Sequence, residues 1–268
     1  MKAIPFFFAL SAALMAGAAA ANTPSAPAQA VLSLIPDAEI TSVEQGPLRG
    51  WSTVLFDGDQ VAYVLDRNRH VVFGNLVRVA DGHSHTIAKL SEGRGEIIAG
   101  LPEALRLTYR ATNERAAITV FTDVSCSFCL SFHRQTVPDL LAQGITIHYY
   151  PAPRGGTASP AWPLMRDLWC SPDPKVSFSA YIKNPAQPPP PASPRCPFET
   201  TTIDAATQRL GMRGTPGVFT AEGVDLGGAV PADRILAALG LERIEAGTAT
   251  DAIARPDPVQ GDTEKSAH

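Results

Sequence analysis

The sequence predicts a two-part chain, a small antiparallel β meander followed by an α/β domain. Three patterns lead there. Between Ser52 and Phe73, short β-branched and aromatic runs are separated by turn residues. From Ala117 onward, strand-like runs alternate with helix-length segments that start at Ser/Asp-Pro pairs and stop at glycines. The 268 residues are 45% hydrophobic, enough for one large or two modest cores.

The meander is read from Ser52 to Phe56, a turn at Asp57-Gly58-Asp59, Val61 to Leu65, a turn at Asp66 to Asn68, and His70 to Phe73. A sheet of that size buries too little to stand comfortably alone, and its edges ask for cover. Gly74, where the strand pattern would continue, fits either a plain bulge or a close backbone approach between two copies of the sheet. A connector runs from Asp81 to Glu114, with a helix expected from Gly95 to Arg110 that Gly100 and Pro102 interrupt. Next come a strand from Ala117 to Thr122, a helix from Cys126 to Gln143 closed by Gly144, and a strand from Ile145 to Tyr150. Ser159-Pro160 and Asp173-Pro174 open helical stretches, and Thr201 to Leu210 forms a helix closed by Gly211. Strands at Gly217 to Thr220 and Val224 to Leu226 flank a Glu222-Gly223 turn, and a last helix spans Ala232 to Leu239. This alternation argues a mostly parallel sheet covered on both faces. The expected divisions are a leader at 1–21, an N-terminal domain at 22–80, a linker at 81–114, the α/β domain at 115–245 and a disordered tail at 246–268.

The leader has one basic residue, Lys2, an apolar stretch from Ile4 to Ala20 and an Ala-rich site suited to cleavage after Ala21. It reads as a secretory signal rather than an anchor, with a bacterial periplasmic address. Net charge is −4, or −5 once Lys2 leaves, which gives no reason to expect nucleic acid or an anionic membrane as partner.

Four cysteines in an exported chain permit disulfides. Cys126-Ser127-Phe128-Cys129 falls where a strand feeds a helix, and two thiols at that spacing can close a bond across the first helical turn. Orphan N–H groups at a helix start stabilise a thiolate, so Cys126 gains more than Cys129. At pH 7 a thiol of pKa about 8.5 is only about 3% thiolate, whereas one at about 5.5 is roughly 97% thiolate. Cys170 and Cys196 could complete a zinc site with this pair or bond to one another. A bond would close a loop holding Pro185 and the run from Pro188 to Pro194, which lacks the donors and apolar content to hold itself, and that favours the structural disulfide.

The strand-helix CxxC followed by Gly214-Thr215-Pro216 resembles the thioredoxin fold, in which a cis-proline preceded by Thr lies against the redox pair. More narrowly, Phe121-Thr122-Asp123-Val124-Ser125-Cys126-Ser127-Phe128-Cys129 resembles the active site of the DsbC/DsbG group of periplasmic thiol:disulfide isomerases. The resemblance implies a thioredoxin-like domain with a helical insertion, preceded by a small α+β dimerisation domain. It further implies a second disulfide in the insertion, here Cys170 and Cys196, and a V-shaped homodimer with Gly74 near the interface. Ser127-Phe128 departs from the Gly-Tyr or Pro-Tyr more usual in the group.

On this reading Cys126 attacks, Cys129 resolves, and Thr215, Pro216 and Phe128 contact substrate, with no cofactor. Partners are unfolded or misoxidised exported proteins and, by the resemblance, a membrane thiol reductant of the DsbD type. The alternatives are a dithiol oxidase of the same fold and a secreted chaperone or binding protein whose CxxC is structural. His133 is expected at the surface, two turns beyond Cys126, and Asp123 is expected to satisfy local backbone donors rather than move protons.

Overall fold

The computed structural model describes residues 24–65 and 70–245. The leader, the turn expected at Asp66 to Asn68 and the tail lie outside the described residues. The chain forms two compact units, one taking in the N-terminal residues through Phe56 together with Ala62–Phe73, the other Asp57–Val61 and the chain from Gly74 onward.

The first unit begins with helix α1 (Ala26–Leu32), which has proline in its first turn, where a missing N–H costs nothing. Four strands follow, β1 (Ile40–Gln45), β2 (Trp51–Phe56), β3 (Gln60–Leu65) and β4 (His70–Phe73), and they lie in that order in one sheet. The β2–β3 turn places Asp57 at φ 52° and Gly58 at φ 76°, the left-handed pair that a tight hairpin needs. Val31 of α1 packs with Val54, Phe56, Ala62 and Val64, a core too small to bury much. The meander was legible, whereas α1 and β1 were not anticipated; β1 has no regular apolar alternation and is mostly half-buried or exposed. β4 is an edge strand, and its Val72 and Phe73 are 45% and 47% exposed.

The second unit begins at helix α2 (His85–Ala99), capped by Ser84, whose side chain accepts from the Ile87 amide at 3.1 Å. This corrects the expected helix from Gly95 to Arg110. Gly95 is not a boundary but a contact point, since a Cβ there would meet the Glu222 carbonyl oxygen at 3.2 Å. A single-turn 3₁₀ segment (Glu103–Leu105) then leads to strand β5 (Leu107–Tyr109), three residues too short to announce themselves by alternation.

Strand β6 (Ala116–Thr122) feeds helix α3 (Ser127–Ser131), a π-helical turn (Phe132–Thr136) and helix α4 (Val137–Ala142), which returns the chain as strand β7 (Ile145–Pro151). The redox helix is therefore not one regular helix. Pro138 lacks the amide that would bond the Arg134 carbonyl, and its ring crowds that carbonyl, so the turn holding Arg134 widens. Helices α5 (Trp162–Trp169), α6 (Pro174–Lys183) and α7 (Thr201–Arg209) follow, then strands β8 (Gly217–Thr220) and β9 (Asp225–Gly227) and helix α8 (Ala232–Ala238). Asp173 caps α6 by accepting from the Val176 amide, as its Asp-Pro signature predicts.

The five strands lie in the order β5-β7-β6-β8-β9, and β6 with β7 is the parallel pair; β5/β7, β6/β8 and β8/β9 are antiparallel. The expectation of a mostly parallel sheet is thus corrected. Only the β6-helix-β7 passage is a crossover that keeps strand direction; β8 comes in reversed after the α5–α7 excursion, and a tight turn sends β9 back. Coverage on both faces is observed, because Ile118 through Thr122 are consecutively buried although successive side chains point to opposite faces. Ile118, Val120, Leu140, Ile147, Met165, Leu168, Ile203, Phe219 and Ile235 belong to the single large core.

Cys170 at the end of α5 is bonded to Cys196, with their Cα atoms 5.6 Å apart and a sequence separation of 26. The Ser193 amide also donates to the Cys170 carbonyl at 3.0 Å, so the proline-rich segment is held at two points. Replacing both cysteines by alanine should lower stability by about 3.5 kcal/mol on the chain-entropy account. Urea denaturation of the double variant against the parent measures it, and a loss below about 1 kcal/mol would show that the loop is held by packing instead.

Candidate active site

The site forms where β6 ends. Cys126 caps α3 with an extended backbone (φ −90°, ψ 115°), its amide donates to the Asp123 carbonyl at 3.0 Å, and its thiol donates to the Thr215 carbonyl at 3.2 Å. The Thr215–Pro216 peptide is cis. Cys126, Cys129 and Thr215-Pro216, 90 residues apart in the chain at their extremes, are thereby brought together. Both thiols are free.

The two sulfurs have different electrostatic surroundings. Burial pushes the Cys126 thiol up, but the backbone amides of Cys129 and Phe128 and the neighbouring Thr215 and Cys129 side chains outweigh it and hold the pKa below its ordinary value. Cys129 lies deeper, and burial pushes it up to about 12, against weaker opposing hydrogen bonds from Asp123 and the Thr122 and Thr215 side chains. The Thr215 hydroxyl is buried, has no other partner and lies beside both sulfurs, so it can turn to whichever carries charge. Phe128, between the thiols, is 68% exposed.

Asp123 is fully buried. Its Oδ1 accepts from the Ser125 amide and hydroxyl, both at 2.7 Å, and its Oδ2 accepts from the Arg154 amide at 2.9 Å and Nε at 3.3 Å. Burial raises its pKa, yet these four donors together hold it below the ordinary carboxylate value. Arg154 was not singled out in the sequence. Its position just past the end of β7 is the signal that could have found it, because loops after sheet strands collect functional groups.

His133 departs from its expected surface position. The widened turn and β7 place it in an aromatic nest, with ring centroids 5.1 Å from Tyr109, 5.6 Å from Tyr149 and 5.2 Å from Phe178, and its Nδ1 shares a hydrogen bond with the Tyr149 hydroxyl at 3.1 Å. Burial, with Lys183 nearby, pushes its pKa down to about 4, so it is neutral at pH 7. Tyr149 is held well above its ordinary pKa by burial, by Tyr109 and by Cys129.

The Cys170–Cys196 bond leaves no set of four thiolates for zinc, and among the described residues no three His, Cys, Asp or Glu side chains are grouped to hold a metal ion. Gly74 takes no part in this cluster; it has φ 141°, and a Cβ there would meet nothing within 4 Å.

Residues 102–241 match the thioredoxin-like domain family, and residues 18–87 match the N-terminal domain of disulfide bond isomerase proteins. The chain is 30% identical over 226 residues to the thiol:disulfide interchange protein DsbC of Salmonella typhimurium, covering 83% of this chain and 89% of that one. The chain belongs to the DsbC family. The DsbC of Escherichia coli K12 is 28% identical over 193 residues, covering 71% of this chain and 77% of that one, and the DsbC of Haemophilus influenzae is 26% identical over 208 residues, covering 73% and 82%. The DsbC family consists of thiol:disulfide interchange enzymes, and the five-stranded unit is its thioredoxin-like domain.

Two outcomes follow from the charges. Cys126 should be alkylated by iodoacetamide at neutral pH well before Cys129, by at least about tenfold, since the rate follows the thiolate fraction; mass mapping that found Cys129 faster would reverse their roles. For His133, the unfolded chain binds a proton near pH 6.5 that the folded chain refuses until about pH 4. Its contribution to stability is therefore complete above pH 6.5 and lost as pH falls towards 4. Urea titrations at pH 7 and pH 5 should show the parent losing more stability than His133→Gln; equal losses would place His133 in water.

Proposed function

We propose that the chain is a periplasmic disulfide isomerase and reductase for misoxidised exported proteins, with Cys126 as nucleophile and Cys129 as resolving thiol. The observation that carries this reading is the asymmetry of the pair: one thiol lowered in pKa beside Thr215-Pro216, the other buried and raised to about 12. The Cys126 thiolate attacks one sulfur of a client disulfide, forming a Cys126–client bond while the second client sulfur leaves as thiolate. If another client thiolate attacks the client sulfur of that mixed disulfide, a new client disulfide forms, Cys126 leaves as thiolate, and the net result is isomerisation. If Cys129 gives up its proton and attacks Cys126, the Cys126–Cys129 disulfide forms and the client leaves reduced. Raising Cys129 to about 12 slows that second route and lengthens the time available for the first. Phe128, exposed between the thiols, offers an apolar contact to an unfolded client.

Isomerisation asks that a client be held through several exchanges, and the N-terminal unit supports this by dimerisation. Its edge strand β4 presents Val72 and Phe73, followed at once by Gly74, where the space for a side chain is open within one protomer. Two linked sites raise the effective thiol concentration at the client to about millimolar. The leader directs the chain to the periplasm, and a membrane thiol donor of the DsbD type returns the pair to its reduced state. A dithiol oxidase would instead keep the pair joined.

Sedimentation and refolding of scrambled ribonuclease test this together. The full-length protein should be a dimer with isomerase activity, while Gly74→Arg should be a monomer that keeps dithiol reductase activity and loses most isomerase activity. Gly74→Ala carries the same backbone strain without the bulk and should remain dimeric. A monomeric parent, or Gly74→Arg with undiminished isomerase activity, would remove the dimer from the mechanism; a parent isolated from cells with Cys126 and Cys129 joined would favour the oxidase.

A further inference from the structure

Beside the cysteine pair lies an open cleft of about 540 Å3, bounded by the loop after β7, by α7 and by the loop before β8. Arg154, Gly156, Asp204, Gln208, Arg213 and Thr215 are among the residues that line it. Thr215 forms one end, and its carbonyl accepts from the Cys126 thiol at 3.2 Å, so the cleft opens next to the attacking sulfur.

The cleft is lined by side chains of both charges, two of them basic. Arg154 is tethered to Asp123, whose carbonyl in turn accepts from the Cys126 amide, and Arg213 lines the cleft two residues before Thr215, whose carbonyl accepts from the Cys126 thiol. Arg154 keeps 59% of its side chain exposed despite the tether, and Arg213 is exposed. Asp204 sits in the first turn of α7, against Gly156. Gly156 has φ 60°, and a Cβ there would stand 2.8 Å from the Asp204 carboxylate, so a side chain at this position would close the cleft. A chain held extended across Thr215 advances about 3.3 Å per residue and brings the first few residues beside its cysteine into this space.

We propose that the cleft holds the client segment flanking the attacked cysteine, and that Arg154 and Arg213 in its lining select an acidic residue within about three positions of that cysteine. The proposal rests on the reading of Cys126 as nucleophile and adds to it a sequence preference among clients. The preference is one of rate, since an opposite charge near the reacting sulfur favours encounter and register more than final affinity.

The test uses full-length Cys129→Ser and three peptides that differ only in having Glu, Gln or Lys two residues from a cysteine carried as its mixed disulfide with thionitrobenzoate. Attack by Cys126 on the peptide sulfur forms the Cys126–peptide bond and releases the thionitrobenzoate anion, which is followed by absorbance. At low ionic strength the Glu peptide should react about three- to fivefold faster than the Lys peptide, as expected for one exposed charge pair, and the ratio should shrink towards one in about 1 M salt. Arg213→Glu in the same background should erase or invert the ratio; because a ratio is read, any general loss of reactivity cancels. Equal rates for Glu and Lys, or the same ratio with Arg213→Glu, would overturn the selectivity while leaving Cys126 as nucleophile. No release from any peptide would overturn the assignment of Cys126, and the proposal with it.

Discussion

A carboxylate with no exposure to solvent sets the geometry on which the rest of the active site depends. Asp123 accepts four hydrogen bonds, two from Ser125 and two from Arg154, and its own carbonyl receives the Cys126 amide. An isolated buried carboxylate would cost several kcal/mol, and these donors offset that cost only while every one of them stays in place. The turn carrying Cys126 and the loop carrying Arg154 are consequently fixed to one another through a single side chain. Moving either loop would strand a buried charge, so this side chain extends past Thr122 and Pro151 the relation that the β6/β7 ladder sets up, and holds the Cys126 sulfur and the neighbouring cleft in place.

From that anchor the chemical difference between the thiols follows. One sulfur sits where backbone amides converge at a helix start, and the other one turn further along the helix, where burial outweighs the donors around it. Position along a helix is enough to separate a thiol held below its ordinary pKa from one pushed up to about 12. The π-helical turn that follows carries His133 into an aromatic nest of Tyr109, Tyr149 and Phe178.

The N-terminal unit and the helical insertion illustrate two ways of compensating for too little core. The insertion holds a proline-rich segment that offers few amide donors, and a covalent bond from the buried Cys170 holds it in place. The first unit has a core of a few aliphatic side chains and one phenylalanine under a four-stranded sheet, with apolar residues left exposed along β4. Such an edge is stable in water when something pairs with it, which is the physical basis for proposing a second copy there.

Residue order alone determined those features whose cause is local. The CxxC at a strand-to-helix junction, the Asp173 cap before Pro174, the glycines that end helices and the hairpin at Asp57-Gly58 each act through neighbours within a few positions. The β meander and the alternation of strands and helices were legible for the same reason. Strand direction was not, because the β8 sequence reads alike whether it runs with or against β6, and the choice lies in how the chain returns after α7. Short β5 and the contact of Gly95 with Glu222 were hidden because their partners lie far away in sequence. The meeting of Cys126 with Thr215 was legible only through the family resemblance, whereas the pairing of Asp123 with Arg154 and the burial of His133 were decided by tertiary structure alone, since each depends on a distance between segments that no local pattern encodes.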